Sequence, residues 1–280
     1  MRKRSMRNTH PILAAILAVL TIAASTVNAQ QTPTANQVDS VPDSKVPDPA
    51  ASDNGRPVPK VIILDVNETL LSLEPLKVSV GKALGGREDL LPLWFSTMLH
   101  YSLVETLSNN YHNFGEIGTA ALMMVAETQG IQLTYEEAKE AIVPALRSLP
   151  PHPDVIDGLR MLKASGIRLV SLTNSSTEGV VTQMQNAGLT DLVEKRYSVE
   201  TVKKYKPHPD PYQMVLDDLG VKPEEVLMVA AHAWDLAGAQ NVGLQTAFVA
   251  RPGKTLYPNL PKPDYVVDDL IELARLLESK

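Results

Sequence analysis

Within Lys60 to Ser72, four branched apolar residues, Val61 to Leu64, follow one another without polar interruption. Such a run belongs to a strand buried on both faces in the middle of a parallel sheet. Asp65 ends it. A carboxylate at the carboxyl end of a central strand stands where open α/β sheets place their ligands, although taken alone Asp65 reads equally well as a turn cap.

The rest of the chain must supply that sheet. From Leu90 to Leu107 apolar residues recur at a helical period, with further helices expected over Glu116 to Thr128 and Thr134 to Leu146, where Thr134 with Glu137 has the form of a capping box. No strand pattern interrupts Leu73 to Leu149, so residues 73–149 read as an all-helical insertion. After Pro150 the pattern alternates. Helices are expected over Asp154 to Ala164, Glu178 to Asn186, Pro211 to Leu219, Asp235 to Asn241 and Asp268 to Leu277. Strands are expected over Ile167 to Leu172, Arg196 to Val199, Val226 to Ala230, Thr246 to Val249 and Tyr265 to Val267. Alternation of this kind makes an α/β fold, a doubly wound parallel sheet with a Rossmann-like core at 60–72 and 150–280.

Ahead of this core lie a basic start with Arg2, Lys3, Arg4 and Arg7, an apolar run from Ile12 to Ala24, and the small-residue stretch Val27-Asn28-Ala29. That order is the pattern of a secretory signal, 1–29, cleaved after Ala29. It predicts an exported protein, periplasmic or secreted, with an uncleaved membrane anchor as the alternative. Residues 30–59, rich in Pro, Asp, Ser and Ala without an apolar period, read as a disordered linker. Cleavage removes four of the 26 basic residues and none of the 32 acidic ones, moving the net charge from −6 to −10. Such a charge argues against a nucleic-acid partner, and any membrane contact is expected only through the export signal. With no cysteine, the chain has no disulfide, thiolate metal site or cysteine nucleophile.

Because strand ends of a parallel sheet converge on one edge, the residues after each strand are read together. Asp65 follows the first; Thr173, Asn174, Ser175 and Ser176 follow the second, a cluster of donors that suits an anionic oxygen or, more plainly, caps a helix. Lys206, with its backbone restricted by Pro207, follows the third, and His232, Trp234 and Asp235 follow the fourth.

In this set the chain resembles the haloacid dehalogenase superfamily, from Lys60 to the C-terminus. Asp65 to Leu70 is similar to its first motif, Thr173-Asn174 to the second, Lys206-Pro207 to the third and Trp234-Asp235 to the fourth, with the helical insertion at the place of a cap domain. The resemblance implies Asp65 as nucleophile, Thr173 and Asn174 as binders of substrate oxygen atoms, Lys206 as the charge partner of Asp65, and Asp235 as the group that orients Lys206 or the hydrolytic water.

Asn67 decides the branch. Phosphatases of the superfamily carry an aspartate there to protonate the leaving alkoxide; an amide has no such proton to give, and a departing halide needs none. The type II branch, the (S)-2-haloacid dehalogenases, is therefore the expectation: Asp65 attacks the halogen-bearing carbon of a small carboxylate, and water hydrolyses the resulting ester. Neither metal nor cofactor is expected, and a homodimer is left open. Phe95, Trp94 and Trp234 would suit a short carbon chain, or simply pack the core. His232 would take a polar role near halide or water, or none. Three departures stand against the pattern: Phe95 where a cap arginine is usual, Ala230, Ala231 and His232 in place of serine and asparagine, and Glu68 in place of glycine. The alternatives are a magnesium-dependent phosphatase, with Asp65, a backbone carbonyl and Asp235 as ligands, and an exported binding protein without turnover.

Overall fold

The computed structural model describes residues 57–280. The expected export signal and all but the last three residues of the expected linker lie outside them. Residues 57–59 have no regular structure, and the Pro57 carbonyl accepts a hydrogen bond from Gln245.

Six parallel strands form one sheet: β1 (Val61–Leu64), β2 (Arg168–Thr173), β3 (Lys195–Ser198), β4 (Val226–Ala230), β5 (Gln245–Val249) and β6 (Tyr265–Val267), in the spatial order β3-β2-β1-β4-β5-β6. All four residues of β1 and all five of β4 are buried, which is why neither strand shows the polar alternation of a half-exposed sheet. Strand order reverses direction between β1 and β4, whose Leu64 and Val229 are in register. A crevice at the carboxyl ends of the strands opens at such a switch point. Asp65 stands at its lip.

Between β1 and the rest of the sheet the chain is wholly helical: α1 (Glu74–Ala83), a short 3-10 turn, α2 (Leu91–Ser108), α3 (Phe114–Thr128) and α4 (Tyr135–Arg147). Capping boxes start two of these helices, Asn113 with Glu116 and Thr134 with Glu137. Helix α1 is hidden in the sequence because Pro75 looks like a break, yet proline in the first helical turn lacks only a donor that would be unpaired anyway. The buried Trp94 indole donates to the Gly118 carbonyl at 2.8 Å and joins α2 to α3. At Gly118 a Cβ would come within 3.0 Å of the Met98 sulfur. Trp94 is therefore core packing, the second of the two roles considered for it, and it is fully buried.

The chain leaves and re-enters the sheet region through paired segments. Ser72 N–H donates to Pro150 O at 2.8 Å and His152 N–H to Leu70 O at 2.9 Å. Five more helices complete the layers: α5 (Val155–Ala164), α6 (Thr177–Asn186), α7 (Pro209–Leu219), α8 (Ala233–Asn241) and α9 (Leu270–Glu278). Among the described residues, no helix is long and apolar enough to cross a membrane.

Candidate active site

Each strand end contributes one part. Lys206, on the loop after β3, reaches under the crevice and spends all three ammonium protons: on Asp65 Oδ1 at 2.8 Å, Asp235 Oδ2 at 2.6 Å and the Leu172 carbonyl at 2.9 Å. Its backbone N–H donates to Asn174 Oδ1 at 3.1 Å, so the turn after β2 fixes the lysine's position. The second oxygen of Asp235 accepts the Tyr212 hydroxyl at 2.6 Å. Burial and Asp235 push the Tyr212 pKa up, which keeps it a donor. Close approach of α7 and α8 makes this contact: at Gly238 a Cβ would meet the Tyr212 hydroxyl at 2.6 Å.

Asp65 is 5% exposed. Burial would raise its pKa, but Lys206 and then His232 pull it well below the usual carboxylate range. Thr69, four residues on, donates its hydroxyl to Asp65 Oδ2 at 2.6 Å and accepts the Ala231 N–H at 2.9 Å, which clamps the nucleophile loop to the end of β4. Arg251 donates to the Thr69 carbonyl at 3.1 Å and pairs with Asp154 through both of its terminal nitrogens, at 2.6 and 3.0 Å. The carboxylate is thus held in one orientation, ionised, from both sides.

A scan against family models matches residues 59–243 to the haloacid dehalogenase-like hydrolases. The chain belongs to the haloacid dehalogenase-like hydrolases. Among curated relatives, an (S)-2-haloacid dehalogenase 1 of Pseudomonas sp. (strain CBS-3) is 31% identical over 219 residues, 78% of this chain and 96% of that one. An (S)-2-haloacid dehalogenase of Xanthobacter autotrophicus is 32% identical over 193 residues, 69% of this chain and 75% of that one. Among solved structures, the L-2-haloacid dehalogenase of Xanthobacter autotrophicus with chloropropionic acid covalently bound superposes with a TM-score of 0.74 at 27% identity, covering 79% of this chain and 98% of that one.

Within this member of the haloacid dehalogenase-like hydrolases, Asn67 is locked in place. Its Nδ2 donates to Ser175 Oγ at 3.2 Å and its Oδ1 accepts from Gln183 at 2.9 Å, while Gln183 also donates to the Leu146 carbonyl at 2.9 Å. Thr173 is buried in the same turn, its hydroxyl accepting the Ser175 N–H at 3.1 Å. Asn174, 5% exposed, turns its oxygen to the Lys206 backbone N–H.

Of the two partners considered for Asp235, Lys206 or the hydrolytic water, the fold places Lys206 against it. With one oxygen on Lys206, the other on Tyr212, and no exposure, it orients the lysine but has no free face for the hydrolytic water. The cluster is a poor fit for magnesium, because the Lys206 ammonium, 2.8 Å from Asp65 and 2.6 Å from Asp235, already supplies the positive charge between the two carboxylates that would bind the ion. Among the described residues no group of three or more acidic or histidine side chains is arranged to hold a metal.

The departures noted in the sequence converge on one spot. His232 Nδ1 lies 3.2 Å from Asp65 Oδ2 and its Nε2 lies 2.8 Å from Glu68 Oε2. Glu68 Oε1 in turn pairs with Lys254 at 2.5 Å. Phe95 of α2 stacks against the imidazole at 6.4 Å between centroids and Trp234 at 5.0 Å. Lys254 also lies 5.8 Å over the Phe95 ring, so a cation of the core stands beside the phenylalanine that replaces the cap arginine. Glu68, Thr69, Tyr212, Arg251 and Lys254 were not foreseen as parts of the site. Only Glu68 carried a signal in the sequence, standing where the resembled motif has glycine; in the fold it has φ +65°, a left-handed conformation that favours glycine, and a non-glycine residue held there is commonly strained for a functional reason.

Proposed function

We propose that the protein hydrolyses small (S)-2-haloacids without a metal, through an ester on Asp65. One observation carries this reading: a buried carboxylate kept ionised by Lys206 stands beside an amide, Asn67, that has no proton for a leaving alkoxide. Halide leaves unprotonated, so the missing acid is no loss. The names and covalent complex of the relatives support the same chemistry.

In the first step an Asp65 oxygen bonds to C2 from the side opposite the halogen, and the C2–halogen pair leaves as halide. Water then cleaves the ester at the Asp65 carbonyl, so the C2–oxygen bond survives and C2 is inverted overall. Thr173, Asn174 and the N-terminus of α6 receive the substrate carboxylate. Trp234 and Phe95 border its short carbon chain.

The test is halide release from purified protein given (S)- and (R)-2-chloropropionate with chelator present, beside a phosphate-ester assay with magnesium. Halide from the (S) form that survives chelation and disappears in Asp65→Asn is expected. Phosphate release that requires magnesium, with no halide, would overturn the reading. Export rests on Arg2 to Ala29 alone; a cell-envelope protein beginning at Gln30 by mass spectrometry supports it, and an intact Met1 in the membrane fraction favours an anchor.

A further inference from the structure

His232 faces a carboxylate at each ring nitrogen, Asp65 at 3.2 Å and Glu68 at 2.8 Å, so both nitrogens act as donors and the imidazole is a cation in the resting site. Burial would push it down, but the hydrogen bonds to Asp65 and Glu68 outweigh that and raise its pKa to about 9. An imidazolium is an acid. It cannot take a proton from water while Asp65 is a carboxylate. The charged groups around it are few: Asp65 with Lys206 behind it, and Glu68 with Lys254 behind it. Phe95 from α2 and Trp234 from α8 contribute uncharged rings. Asp65 is the one member of this set whose charge the reaction removes.

We infer that His232 is the base that activates the hydrolytic water, and that esterification of Asp65 is the event that converts it from acid to base. This rests on the ester-forming reading given above, and it fills the place that the saturated Asp235 cannot. When Asp65 bonds to C2, the carboxylate becomes a neutral ester and Nδ1–H loses its anionic acceptor. That proton passes to solvent through the cavity of about 290 Å³ bordered by His232, Trp234 and Lys254. Glu68 keeps Nε2–H and so leaves the lone pair on Nδ1, facing the Asp65 carbonyl.

Nδ1 then takes a proton from water as the water oxygen bonds to Asp65 Cγ. On collapse the Cγ–O bond to the substrate breaks, and the departing alkoxide takes the proton from His232. Asp65, left as the acid, returns its own proton to Nδ1 and restores the resting pair. One halide and one proton are released per turnover, as the overall hydrolysis requires. The proton leaves between the two chemical steps. Glu68 is a positioning residue in this scheme, since it fixes the tautomer and holds the imidazolium as it forms.

Two measurements decide the matter, both on the whole protein. In an NMR titration, His232 in Asp65→Asn, the neutral counterpart of the ester, is expected to titrate at least about one unit lower than in the wild type; an unchanged value overturns the switch. In rapid-quench experiments with (S)-2-chloropropionate, wild type is expected to release one proton with the first halide. His232→Asn should give one halide per site, then stall with the substrate's acid fragment attached, with ester hydrolysis about 100-fold slower. Glu68→Gln, which keeps the imidazole, should hydrolyse the ester more slowly and move the pH midpoint of that step down by about one unit. Sustained turnover in His232→Asn, or proton release only at the hydrolysis rate, sinks the assignment but leaves dehalogenation standing. No halide from the wild type with any 2-haloacid sinks both.

Discussion

Two clusters meet at Asp65 and differ in what fixes their charge. The inner one, Lys206, Asp235 and Tyr212, joins the loop after β3 to helices α7 and α8. Every donor there has an acceptor, and Lys206 and Asp235 are at most 1% exposed. The outer one, His232, Glu68 and Lys254, combines the β4–α8 turn, the nucleophile loop at a left-handed residue and the loop after β5, with α2 leaning on it through Phe95. Glu68 and Lys254 keep 18% and 24% of their side chains exposed. A closed set of buried charges can hold one state only. A half-open set that leans on Asp65 changes state when Asp65 does.

The largest effect expected on this contrast is that of Asp65→Asn, which removes the group both clusters share: halide turnover should fall by about 10⁴-fold or more. Next comes a matched pair of lysine substitutions. Lys206→Met leaves two buried carboxylates facing one another and should lower folding stability by about 3–5 kcal/mol, read as a shift in the urea midpoint. Lys254→Met, at the open end, should lower it by less than about 1 kcal/mol. Equal losses would break the distinction between the clusters.

Stability against pH sharpens it further. Since the folded His232 titrates at about 9, above its unfolded value, its contribution is complete below the unfolded pKa and is lost as pH rises through about 9. Asp65 shifts the other way, so its contribution is present above the unfolded carboxylate range and is lost as pH falls toward its lowered native pKa. The urea midpoint of the wild type should therefore fall on the alkaline side, between about 6.5 and 9, and this slope should flatten in His232→Asn. An equal alkaline slope in the variant would mean the outer cluster carries no such charge. The smallest effect belongs to neither cluster: Arg168→Gln breaks an exposed pair with Glu194 on β2 and should change stability by about 0.5 kcal/mol or less in the same urea experiment.

Local physics made the fold legible. Unbroken apolar runs such as Val61–Leu64 and Val226–Ala230 have one comfortable place, a strand covered on both faces, and Thr134 with Glu137 announces a helix start because the unpaired N–H groups there need acceptors. Asp65, Thr173, Asn174, Lys206 and Asp235 were readable as a set because strand order alone brings strand ends to one edge. Trp94 was ambiguous, since an aromatic on a helix does not reveal which face meets the core; in the fold it ties α2 to α3.

By itself, then, the sequence determined the alternating sheet, the helical insertion and which strand ends carry chemistry, since each depends on neighbours a few residues away. Only the tertiary structure decided what those groups do to one another. His232 and Glu68 are 164 positions apart, and Lys206 and Asp65 are separated by 141. Whether an imidazole is a solvated surface group or a cation trapped between two carboxylates depends on distances of about 3 Å, over which charge and desolvation act, and chain position does not encode those distances.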